Sequence, residues 1–191
     1  MGRRRHREIL KAALAGVLLI ALQAVAWAQD PLTQKLETRR TIIRYQSLED
    51  LSNFESAVDY SSGGGFGSLF ASRPKGNDLL DAVSRKVDAL YERVQEILDM
   101  RGTIPKVTLR VYPDRSALAR AYQAFTGNSN LRIRAWYIYE RNTVYLNVED
   151  VHEGMIAHEI AHAIIDHYLT VRPPRATAEI LARYVDEHLN Y

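Results

Sequence analysis

His158-Glu159-Ile160-Ala161-His162 is the segment of this chain best equipped to do chemistry. On a helix, residues four apart lie on the same face, so His158 and His162 can reach one ion. A pair of imidazoles suits a divalent metal, and zinc takes histidine nitrogen and carboxylate oxygen. Glu159 sits about 100° round the helix from His158. It is turned too far to complete the same ligand set, but it can reach a water on the metal and take its proton. A catalytic zinc site wants three protein ligands and one open position. Glu179 is the best third ligand. It follows His162 by 17 residues, past Pro173-Pro174. That break lets two helices return antiparallel, with Glu179 opposite the histidines. Ala157, Ala161, Ala176, Ala178 and Ala182 are small enough to permit a close approach.

Composition narrows the alternatives. Five of the six histidines lie at or after His152. There is no cysteine, so disulfides, thiol catalysis and Cys-ligated metals are excluded. The chain carries 25 basic and 23 acidic residues. Five of the basic residues and one acid fall within residues 1–28, which leaves 20 basic against 22 acidic. A near-neutral remainder argues against a nucleic-acid partner held by a basic surface. With 47% hydrophobic residues the chain can bury a core.

Residues 1–28 have the three parts of a secretory signal peptide. Met1–Lys11 is basic, Ala12–Ala26 is apolar apart from Gln23, and Ala26-Trp27-Ala28 offers a cleavage site. The apolar run is about 15 residues, short of the roughly 20 a membrane span needs. The expectation is a periplasmic or secreted product. It would contact the membrane only if the signal segment were retained as an anchor.

Residues 29–76 read as an N-terminal segment. Glu37–Tyr45 suits a strand, and Ser47–Tyr60 suits a helix capped by Ser47 with Asp50. Ser61–Gly67 reads as a flexible linker, because a phosphate-binding loop needs a preceding strand and a following helix. This segment could add a strand, cover the cleft as a pro-segment, or bind a partner. Residues 77–191 form the main domain. Asn77–Met100 repeats apolar residues at helical spacing, with Asn77 or Asp78 as cap and Gly102 as stop. Strand Lys106–Tyr112, helix Arg115–Phe125, strands Ile133–Glu140 and Asn142–Val148, and helices His152–Tyr168 and Arg175–Leu189 follow. The pattern predicts an α+β fold with a small mixed sheet and packed helices, its metal-type residues on the last two.

His158–His162, the proline turn and Ala178-Glu179-Ile180-Leu181-Ala182-Arg183-Tyr184-Val185 resemble a gluzincin zinc metallopeptidase. The element order from residue 77 is similar to the minigluzincin-type, peptidase MA-like core, covering about 115 residues. The resemblance implies a zincin-like fold, Zn2+ on His158, His162 and Glu179, and Glu159 as general base. It implies a peptide or protein substrate and a bacterial-type exported endopeptidase. It also implies that Asn142–Val148 is the edge strand to which an extended peptide adds. Two positions depart from the family. Ile180 stands where many members have Gly after the ligand Glu, and Arg183 where many have an Asp that orients a ligand histidine. Asp166 or Asp186 must then orient it. Tyr168, Tyr184 and His167 are the candidates to stabilise an oxyanion. Two other functions fit the same residues: a zinc-binding envelope scaffold without turnover, and an envelope interaction domain without metal.

Overall fold

One mixed sheet organises the chain. The computed structural model describes residues 30–58, 60, 75–130 and 132–189, which from Leu32 on belong to one compact unit. Among the described residues there are five strands and five α-helices. The strands are β1 (Gln34–Glu37), β2 (Thr41–Tyr45), β3 (Val107–Tyr112), β4 (Ala135–Ile138) and β5 (Thr143–Asn147). The helices are α1 (Leu48–Ala57), α2 (Asn77–Ile97), α3 (Arg115–Thr126), α4 (Glu153–Tyr168) and α5 (Arg175–His188). This is the α+β class the sequence predicts. Residues 1–28 and the Gly-rich run Ser61–Gly67 lie outside the described residues.

The sheet order is β1-β2-β3-β5-β4. β2, β3 and β5 run parallel, and β1 and β4 are antiparallel edges. Residues 29–60 therefore contribute two strands and a helix, with β2 beside β3. The strand expected over Glu37–Tyr45 is broken at Thr38–Arg40. The cause is tertiary: Asp88 on α2 accepts from the Thr38 hydroxyl at 2.7 Å and from the Arg39 and Arg40 amides at 3.1 and 2.9 Å. Those bonds satisfy the backbone donors of a hairpin turn that no local signal announces.

One expectation is overturned. The segment Asn142–Val148 is not an edge strand. β5 lies between β3 and β4, and every one of its residues is buried. On that side of the sheet the edge strand is β4, and β1 is the edge on the other side. Tyr139–Arg141 forms a 3-10 turn and Asn142 takes a left-handed φ of 43°, so the chain reverses; β5 then pairs with β3, which leaves β4 outermost.

The helix ends also differ from the sequence reading. Ser47 and Asp50 do form a reciprocal capping box on α1. On α2, neither Asn77 nor Asp78 caps; Gly76 occupies that position at φ 58° with no side-chain bond. α2 stops at Leu98, where Asp99 turns left-handed at φ 52°. Gly102 is not the stop; its carbonyl accepts from the Gln95 amide at 3.1 Å.

One face of the sheet presents Ile43, Leu109, Val111, Val144 and Leu146 to the helices. α4 is buried on most sides, through Ile156, Ala157, Ile160, Ala161, Ala163, Ile164 and Ile165. Truncating any of its fully buried isoleucines to Ala should cost about 2–5 kcal/mol. The opposite face carries Tyr112, Ile138 and Tyr145, which pack with Leu118 of α3.

Asp150 fixes the turn that launches α4. It is 5% exposed and accepts from Arg115 Nε and Nη2, both at 2.6 Å, and from Asn147 Nδ2 at 3.1 Å. The Arg115 bonds, helped by Asn147, hold its carboxyl below the usual range despite burial. A depressed folded pKa adds stability above the unfolded value of about 3.9, and that stability is lost as pH falls through the folded value. Asp150→Asn should therefore cost about 1–3 kcal/mol at pH 7. The difference from wild type should shrink below about pH 4. Urea unfolding at pH 7 and pH 3 checks this; a difference that is the same at both would contradict it.

Candidate metal centre

α4 owes its central place to apolar residues around most of its circumference, but one stripe is polar. His158, His162 and Asp166 recur every four residues, with Glu159 beside them. α5 packs against α4 antiparallel through small residues, and Ala157, Ala161, Ala178 and Ala182 are all buried at this contact region. Ala176, expected to help the approach, is exposed. The close packing carries Glu179 over the histidines.

One ligand atom from each of His158, His162 and Glu179 falls within a 4.8 Å cluster. His158 Nε2 and His162 Nε2 are 3.3 Å apart. Glu179 Oε2 lies 3.6 Å from His158 Nε2, and Oε1 lies 3.7 Å from His162 Nε2. Ligands about 2.0–2.1 Å from a tetrahedral zinc are about 3.3 Å from one another. The observed spacings are within a few tenths of an ångström of that figure. Two nitrogens and a carboxylate also match the donor preference of zinc. The residues fit the metal.

The carboxylate that orients the His158 ring is Asp186. Its Oδ2 is 3.0 Å from His158 Nδ1. This bond places the Nδ1 proton toward Asp186 and leaves the Nε2 lone pair facing Glu179 and His162. It also raises the His158 pKa, with burial acting the other way. Burial lowers that of His162, and the neighbouring His158 adds to the effect. Asp166, the other carboxylate considered, is engaged with Arg172 at 2.9 Å. Asp186 was legible in principle. It lies seven residues after Glu179, and seven residues bring a helix back to within about 20° of the same face. Asp186→Asn should weaken zinc affinity about 10–100-fold, measured by competition with a chromogenic chelator. An unchanged affinity would remove Asp186 from the site.

Burial pushes the Glu159 carboxyl up to about 7, and Glu179 and Asp186 push the same way against the pull of His158. Glu159, His158, His162 and Glu179 line a cleft of about 800 Å³. Ala135, Trp136 and Tyr137 of β4 form one wall, and Pro173, Pro174 and Arg175 form another. His158 and Glu159 also line a smaller cavity of about 400 Å³ with His152, Met155 and Asp186.

None of the three oxyanion candidates lines either cavity. Tyr184 stacks on His188 with centroids 3.9 Å apart. His167 stacks on Tyr139, and Tyr168 packs against Gly102. The sequence reading missed Arg172 and Arg175 as cleft residues. Their only sequence signal is their position flanking Pro173-Pro174, Arg172 before the break and Arg175 at the start of the helix that carries Glu179. His152 is, as expected, a helix-start residue; its Nδ1 accepts from the Met155 amide at 3.3 Å.

Comparison with protein-family models, with curated proteins and with solved structures finds no significant match to this chain.

Proposed function

We propose that this chain is a zinc-dependent metallopeptidase of the gluzincin kind, with a zincin-like arrangement of sheet and helices. The observation that carries the reading is the convergence of His158, His162 and Glu179 to ligand distance beside Glu159 in an open cleft. His158, His162 and Glu179 would hold the ion. Zinc bound there supplies Lewis acidity, making a water easier to deprotonate and a carbonyl easier to attack.

The chain's own groups do the rest. Glu159 is partly buried and faces the cleft, so it can take a proton from water and later give it to the leaving amine. A cation on the neighbouring ligands favours the charged carboxylate, drawing its pKa down from about 7. The group then starts as a base at neutral pH. Asp186 holds the His158 ring through Nδ1, which would leave Nε2 free for the ion. Among the described residues the outer edge of β4 pairs with no further strand and lies beside the cleft, the arrangement by which an extended peptide can add as a further strand. β4 takes the role that the sequence reading gave to Asn142–Val148. The cavity on the His152 side leaves room for chain on both sides of Glu159, which favours cleavage within a peptide. The signal-like residues 1–28 make the substrate a peptide or protein outside the cytoplasm.

The test is incubation of zinc-loaded protein with a mixture of unstructured peptides, read by mass spectrometry. The reading expects internal cleavages that stop on chelation and resume when zinc is returned. No cleavage by fully zinc-loaded protein would contradict it.

A further inference from the structure

Among the described residues the cleft contains two arginines, and one of them is committed. The Arg172 guanidinium pairs with the buried Asp166 carboxylate at 2.9 Å and covers the Tyr139 ring at 4.4 Å. Those two charges offset one another. Glu159 and Glu179 are assigned to proton transfer and to the metal. Arg175 is left over. Its side chain is 92% exposed, and its ion-pair contact is Nε to Glu179 Oε1 at 3.7 Å, beyond hydrogen-bond distance. Once Glu179 faces a cation, that weak contact loses its electrostatic reward. The first turn of α5 carries no acidic residue to replace it.

We infer that Arg175 is a specificity residue, selecting peptides that carry a carboxylate close to the cleaved bond. The inference rests on the peptidase reading above. A guanidinium offers a planar fork that matches a carboxylate with two parallel bonds. Arg175 follows Pro174 directly, so its backbone is anchored at the rim of the cleft, four residues from a metal ligand. The matching group is either the side chain of a Glu or Asp residue or the free C-terminus of a short peptide. Both present the same anion. Because Arg175 is exposed, its effect is modest and salt-sensitive.

The experiment uses three sets of fluorescent peptides on one sequence. The first pair has Glu or Gln at each position flanking the cleaved bond, with amidated C-termini. The second pair has no acidic side chain and differs in a free or amidated C-terminus. The third has Lys in place of Glu. Cleavage by zinc-loaded protein gives kcat/KM ratios. Binding to zinc-loaded Glu159→Gln protein, read by fluorescence anisotropy, gives affinity ratios without turnover. The proposal expects the carboxylate peptide of one pair to be favoured about 3–10-fold at low salt. Which pair shows it identifies the source of the anion. The preference should fall in 0.5 M salt, collapse toward 1 in Arg175→Gln, and invert toward the Lys peptide in Arg175→Glu. Equal ratios in wild type, or a preference that survives Arg175→Gln, overturn it. If nothing is cleaved, the peptidase reading fails while the anisotropy ratios still decide the role of Arg175. Absence of both cleavage and binding for every peptide overturns both.

Discussion

Glu159→Gln should reduce peptide hydrolysis by about 10²–10⁴-fold while leaving zinc bound. The amide keeps the size of the carboxyl and its place on α4, so the local packing is preserved. It cannot accept a proton from water or pass one to a leaving amine. The loss should appear in kcat, because Glu159 acts on the reacting atoms and has no share in holding the substrate chain. The substitution also removes a partly buried acid that burial pushes up to about 7. Its thermal midpoint should therefore stay at or above that of wild type. The experiment separates two functions that share ligands. An enzyme loses turnover and keeps metal. A zinc scaffold has no turnover to lose.

Removing the metal should have the second large effect, on stability. His158, His162 and Glu179, on α4 and α5, converge on one point, so an ion held there would tie the C-terminal pair together. A ligand bound only by the folded state stabilises by about 4 kcal/mol when present at 1,000 times its Kd. For a domain of this size that is roughly an 8–16 °C shift in the melting midpoint. Melts with excess zinc and with excess chelator should differ by that amount. In His162→Ala the difference should largely vanish. Equal midpoints in wild type would mean that no ion is held between the two helices.

The sequence shows the site more clearly than it shows the frame around it. His158, Glu159 and His162 follow from one helical spacing, and Glu179 from a proline break and a second helix. Local periodicity carries that information, and the structure brings the four residues to one cleft. The sheet was harder to read. Whether β4 or β5 is outermost depends on pairing between residues distant in sequence, and β5 has the same alternating pattern in either place. The hairpin at Thr38–Arg40 is held by Asp88, fifty residues away, which no local pattern reveals. Asp186 was visible as a carboxylate on the right face of α5, yet a charged residue near a helix end also reads as solvated surface. In the sequence Arg172 reads as a loop residue and Arg175 as a helix-start residue, and only the structure places both at the cleft.

Metal content tests the central claim most directly. Purified protein, loaded with zinc and passed through a desalting column, should carry one zinc per chain by mass spectrometry of the native protein. His158→Ala, His162→Ala and Glu179→Ala should each carry much less while remaining folded. Wild-type protein without zinc, or variants that retain it in full, would contradict the account.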